Sequence, residues 1–92
     1  PETVALDADK VKFPLIIRRT QQGDRFVPLG MKGGKLVSDF LTDQKKSVWE
    51  KRHQIVVCDA EDQILWIVGN RIDHRVRITD STRRVLLIEK LS

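Results

Sequence analysis

Two apolar runs, Ile55-Val56-Val57-Cys58 and Ile64-Leu65-Trp66-Ile67-Val68, flank the polar link Asp59-Ala60-Glu61-Asp62. β-Branched and aromatic residues dominate both runs, and a link of this length is that of a hairpin. The strands, Gln54 to Cys58 and Gln63 to Val68, do not alternate apolar with polar residues as a strand with one wet face does. Both faces of the hairpin are therefore expected to be covered. With 92 residues the chain has room for one small domain.

Upstream, Val4-Ala5-Leu6 reads as an edge strand or as the end of a linker, within residues 1–9. Pro14 to Arg19 reads as a strand opened by proline, where a missing donor is tolerated. Gln21-Gln22-Gly23-Asp24 turns the chain. Residues 25–35 combine Pro28, Gly30, Gly33 and Gly34 with Arg25, Lys32 and Lys35, a cationic loop expected to lead directly into a helix. In that helix Leu36, Val37, Phe40 and Leu41 share one face, opposite Ser38, Asp39 and Thr42. Ser47-Val48-Trp49-Glu50 has the capping-box pattern of a second helix, with Trp49 turned inward and Lys45, Lys46, Lys51 and Arg52 outside. Downstream, Val76-Arg77-Ile78-Thr79 alternates like a half-exposed strand, and Arg84 to Leu91 supplies a last one. The expected fold class is α+β, a small β-sandwich-like sheet with two short helices, in a single domain spanning residues 1–92.

Charge is uneven along the chain. Residues 1–9 carry net −3; residues 10–52 carry eleven Lys/Arg against Asp24, Asp39, Asp43 and Glu50, a net +7; residues 53–92 balance. A segment this basic suits a polyanionic partner, because its cations displace counterions from phosphates.

Catalytic chemistry is harder to find. Gly30-Met31-Lys32-Gly33-Gly34-Lys35 lacks the spacing and the following Ser or Thr of a nucleotide P-loop, since Leu36 stands there. Free amides at a helix start with lysines alongside still suit a backbone phosphate. Asp39 and Asp43 lie one helical turn apart with nothing to desolvate them, and Ser38, Ser47 and Ser81 have no evident histidine partner. His53, His74 and Cys58 have no ligand-like spacing, so no metal site is assigned. Cys58, the single cysteine, reads as a small buried hydrophobe and excludes an internal disulfide. The apolar runs are too short to span a bilayer and no export leader is evident, so the expected setting is cytoplasmic. Phe13, Phe40, Trp49 and Trp66 fall on predicted apolar faces and are expected in the core. That disfavours base stacking and leaves phosphate and shape recognition of a duplex.

The block Ile16-Ile17-Arg18-Arg19, then Gln22-Gly23-Asp24-Arg25-Phe26-Val27-Pro28-Leu29-Gly30-Met31-Lys32-Gly33, resembles the C-terminal domain of bacterial tRNA(Ile)-lysidine synthetases. So do Lys35-Leu36-Val37-Ser38-Asp39-Phe40-Leu41 and Ile64 to Asp73, the resemblance running from about residue 10 to the end. It implies a fold shared with a domain of the phenylalanyl-tRNA synthetase beta chain. It further implies a parent ligase whose N-terminal catalytic domain binds ATP and Mg. That parent adenylates the wobble cytidine of tRNA(Ile) with a CAU anticodon and lets lysine displace AMP. The present domain would hold the tRNA, at its acceptor stem, and contain no catalytic site or cofactor of its own. Expected partners are tRNA(Ile) and the parent's catalytic domain, with no membrane; an oligomer is left open.

Carried over residue by residue, the RNA-facing set is Arg18, Arg19, Arg25, Lys32, Gly33, Lys35, Lys45 and Lys46, and the loop-supporting set is Gly23, Asp24, Phe26 and Gly30. For Arg25 and Asp24 an internal ion pair and direct RNA contact weigh equally. Lys46-Ser47 replaces the apolar residue and proline common before the family's second helix, and the basic run after the glycines is shorter than usual. These departures blur which lysines would touch RNA. The competing reading is a protein-interaction module docking on a catalytic domain or second subunit through the C-terminal β face.

Overall fold

The computed structural model describes residues 2–91; Pro1, placed above in the 1–9 segment, lies outside them. The central hairpin forms as β5 (Ile55–Cys58) and β6 (Ile64–Ile67), and β2 (Ile16–Arg19) joins it to give an antiparallel sheet of order β2-β5-β6. A two-stranded ribbon pairs β1 (Thr3–Asp7) with β7 (Val85–Glu89), and a short hairpin pairs β3 (Arg25–Phe26) with β4 (Lys35–Leu36). Helices α1 (Val37–Asp43) and α2 (Val48–His53) lie between β4 and β5 in the chain. The α+β class and the pair of short helices are as the sequence indicates.

The hairpin is covered on both faces, as its continuous apolar runs require. On one side Val56, Cys58, Ile64 and Ile67 pack with Phe26, Val37, Phe40 and Leu41. On the other, Val57, Leu65 and Trp66 pack with Val4, Leu6, Val11 and Val76. Leu65 and Trp66 are neighbours in sequence yet share a face. The register explains this: Val57 pairs with Trp66 and Cys58 with Ile64, so Leu65 is the extra residue of a bulge.

Helix α1 buries Val37, Phe40 and Leu41 against the first cluster. At its end Lys45 adopts φ 62°. The Lys45 amide donates to the Thr42 carbonyl and the Lys46 amide to that of Leu41, which forms a Schellman cap with lysine where glycine is usual. Helix α2 begins with the expected capping box: the Ser47 hydroxyl accepts from the Glu50 amide, and the Glu50 carboxylate from the Ser47 amide.

Four expectations need correcting. Helix α2 buries none of its residues, and Trp49 is 68% exposed rather than turned inward. Phe13 is likewise exposed, whereas Phe26, placed in the loop-supporting set, is buried at 1% as that role requires and meets Phe40 edge-on. Residues 76–79 form no strand. The Asp73 carboxylate accepts the Arg75 amide and folds His74–Val76 into a 3-10 turn, burying Val76. Of the two readings offered for Val4-Ala5-Leu6, edge strand or linker end, the strand forms: β1 pairs with β7 along its whole length. Finally, the glycine-rich loop does not open a helix directly. It closes the β3–β4 hairpin, and the first amide of α1, that of Val37, donates to the Asp24 carbonyl.

Candidate nucleic-acid interface

The segment from Arg18 to Arg25 is built around one ion pair. Arg18 donates to both carboxylate oxygens of Asp24, at 2.9 and 3.0 Å. It also donates to the Arg19 carbonyl at 3.0 Å and to Asp62, distant in sequence, at 3.2 Å. Both Arg18 and Asp24 side chains are largely covered, at 15% and 11% exposure. Asp24 also accepts the Gln21 amide, closing the turn in which Gly23 sits at φ 89°. Asp24 therefore pairs with Arg18 and not with Arg25, whose guanidinium reaches the Gly34 carbonyl.

Burial pushes the Asp24 carboxyl up, but the Arg18 guanidinium and the Gln21 amide push it further down, leaving it below the ordinary 3.8. A carboxyl depressed on folding contributes stability that is present above its unfolded value and lost as pH falls through its folded value. Stability is therefore expected to decline with acidification from about pH 4 downward. Arg18→Met should cost about 2 kcal/mol at neutral pH and flatten that acid limb. Urea melts across pH 2–7 test both, and an unchanged acid limb would count against the pair.

The β3–β4 hairpin is anchored from below by one buried carboxylate. Asp73 is fully buried and accepts the Val27 amide at 2.9 Å, the Arg75 amide at 2.8 Å and the Arg75 guanidinium at 2.8 Å. Next to it the Leu29 amide donates to the Ile72 carbonyl and the His74 amide to that of Val27. Gly30, at φ 89°, completes the Pro28–Met31 turn and donates its amide to His74 Nδ1 at 3.1 Å. Beyond this base Lys32 and Gly33 are exposed, and no atom lies within 4 Å of where a Gly33 side chain would begin. Asp73 and His74 escaped sequence reasoning; the Asp-x-Arg spacing of a side-chain-capped turn was the available signal.

Lys35, also placed in the RNA-facing set, pairs with Asp43 at the end of α1. Lys45 and Lys46 follow directly and are exposed. The Thr20 hydroxyl donates to the Lys51 carbonyl at 3.0 Å, tying the β2–β3 turn to α2. Between that turn, α1 and α2 opens a cleft of about 370 Å³ whose lining includes Gln22, Gly23, Ser38, Lys51 and Arg52. Among the described residues, Arg19, Arg25, Lys32, Lys45, Lys46 and Arg52 in this segment are exposed and have no carboxylate partner, as do Lys12, Arg83 and Lys90 elsewhere in the chain. Arg52 belongs with them, although it was read only as an outward-facing residue of α2. Cys58 is buried and its thiol is pushed up to about 11 by desolvation, which makes it inert at neutral pH. Among the described residues, no helix is long and apolar enough to cross a membrane.

Comparisons with known proteins agree with this architecture. The chain is 48% identical over 86 residues to a tRNA(Ile)-lysidine synthase of Parabacteroides distasonis, covering 94% of this chain and 19% of that protein. It is 45% identical to one of Bacteroides thetaiotaomicron, covering 94% and 20%. The chain thus spans about a fifth of the length of these curated relatives. A crystal structure of the TILS C-terminal domain superposes with TM-score 0.79 at 26% identity, covering 99% of this chain and 72% of that one. An N-terminal fragment of the phenylalanyl-tRNA synthetase beta-subunit from Pyrococcus horikoshii gives TM-score 0.79 at 21% identity, covering 92% and 26%, and shares the fold. The resemblance to the C-terminal domain of tRNA(Ile)-lysidine synthetases is thereby borne out. With the B3/4 domain model matched over residues 3–91, the chain belongs to the B3/4 domain family.

Proposed function

We propose that this chain is the tRNA-binding C-terminal domain of a cytoplasmic tRNA(Ile)-lysidine synthetase and holds the acceptor stem of tRNA(Ile). The ligation of lysine to the wobble cytidine, with its ATP and Mg, then falls to a catalytic domain outside these residues. The observation that carries the reading is a group of exposed cations without carboxylate partners along the β2–β3 turn, the β3–β4 hairpin and the two helices: Arg19, Lys32, Lys45, Lys46 and Arg52. Backbone pairing and the Thr20–Lys51 bond hold these elements together. Arg18, by contrast, braces the turn, and Lys35 is held by Asp43, so both act through the scaffold more than through phosphate. Arg25 and Gly33 stand at the hairpin where a ribose-phosphate backbone can approach.

If these five cations each meet one phosphate, log K for tRNA should fall with log salt at a slope of roughly −3.5 to −4.5. Replacing Lys32, Lys45, Lys46 and Arg52 by Gln should make that slope shallower by roughly 3 to 4 and leave the melting temperature in place. Titration of labelled tRNA and of an acceptor-stem hairpin across a salt series measures both. An unchanged slope in the fourfold variant would sink the reading. The second reading, a protein-docking module, is favoured by one feature: Val85 and Leu87 stand exposed, at 54% and 67%, on the outer face of β7. Salt-independent binding to a catalytic domain, abolished by Leu87→Lys, would support it instead.

A further inference from the structure

We infer that Trp49 is a stacking platform for an unpaired nucleobase of the bound RNA; the inference rests on the RNA-binding reading above. Helix α2 contributes nothing to the core, yet it is fixed at its start by a reciprocal capping box. One turn after Trp49, His53 stacks on the indole at 4.1 Å between centroids and 21° between planes. His53 Nδ1 lies 2.8 Å from the Trp49 carbonyl, which holds the imidazole in place. The indole is thus backed on one face by a ring while Trp49 remains 68% exposed. A large aromatic held in one orientation at the surface loses little freedom on receiving a second ring, and every nucleobase has a face to offer.

The surroundings select a nucleic acid over an apolar protein surface. Lys45, Lys46, Lys51 and Arg52 flank Trp49 in sequence. The single carboxylate among them, Glu50, accepts the Ser47 amide of the capping box. Against the indole lies a cleft of about 270 Å³, lined by Glu50, His53, Gln54, Ile55 and Val68 and bounded by Lys90. A base on the indole would therefore have cations within reach of its phosphates. Phosphate contacts alone give no preference for unpaired nucleotides, whereas a stacking residue does.

The test compares two labelled RNAs, a blunt hairpin duplex and the same duplex with a short single-stranded overhang. Wild-type protein should bind the overhang RNA more tightly. Trp49→Ala should lose roughly 10- to 100-fold in affinity for it and little for the blunt duplex, while Trp49→Phe keeps most of the preference. Since Trp66 is buried, quenching of the exposed indole emission by the overhang RNA reports the stack directly. Equal loss on both RNAs, or no loss in Trp49→Ala, would overturn the inference and leave the phosphate-binding reading standing. Wild-type protein that binds neither RNA would overturn both. A melting temperature unchanged in Trp49→Ala is expected, because α2 buries nothing.

Discussion

Asp73→Ala should destabilise the domain by about 3 kcal/mol, the combined effect of several charge-assisted hydrogen bonds lost at one buried carboxylate. A domain of this size is held by roughly 5–14 kcal/mol, and each kcal/mol shifts its melting temperature by about 4–8 °C. The expected fall is therefore on the order of 12–24 °C. The change also leaves the Val27 amide without its acceptor, while Arg75, whose side chain is 54% exposed, returns to water at little cost. Damage should thus concentrate at the base of the β3–β4 hairpin. Hydrogen exchange of the Val27 and Leu29 amides should accelerate before that of β5. Asp73→Asn, which keeps one acceptor oxygen, should recover about half of the loss; a full-strength domain in Asp73→Ala would refute the anchoring role.

Trp66→Ala should cost about 3–5 kcal/mol and lower the melting temperature by on the order of 12–40 °C. Trp66 is buried at 1% and belongs to the cluster that joins the β1–β7 ribbon to the β2-β5-β6 sheet. Its backbone also bridges to Ile72, beside the Asp73 anchor. Val56→Ala acts on the opposite face, among Phe26, Phe40 and Leu41, and should cost less because fewer atoms are removed. Since β5 and β6 contribute to both clusters, each variant should melt in one transition by far-UV dichroism, matched in Val56→Ala by the fluorescence of buried Trp66. A ribbon that melts separately in Trp66→Ala would show that the two clusters are independent.

The hairpin at the centre was legible because being covered on two faces leaves no polar positions, which a periodicity reading detects directly. Which residue faces which side was not, since the bulge at Leu65 breaks the alternation and no local residue type announces it. The start of α2 was legible from Ser47 and Glu50, whose bonds are local. The exposure of Trp49 was not, because a short amphipathic pattern cannot say whether a neighbour arrives to cover it. The alternation over residues 76–79 imitated a strand, but the Asp73 side chain competes for the same backbone and wins. In the candidate site the cations were visible as a set, and their partners were hidden. Asp62 reaches Arg18 from 44 residues away, and Asp43 reaches Lys35 across the length of α1. Sequence thus located the charge, and tertiary pairing decided which of it remains available.

The pairing of β1 with β7 sets Thr3 opposite Glu89. The two ends of the described fold therefore stand side by side, a strand separation of about 5 Å apart. An insert of this shape can be spliced into a surface turn of an unrelated host without stretching the host open. Joined instead by a short flexible tether, the same ends permit circular permutation, with new termini cut in the exposed tip near Lys32. The domain is, in engineering terms, a cassette with both terminals on one side.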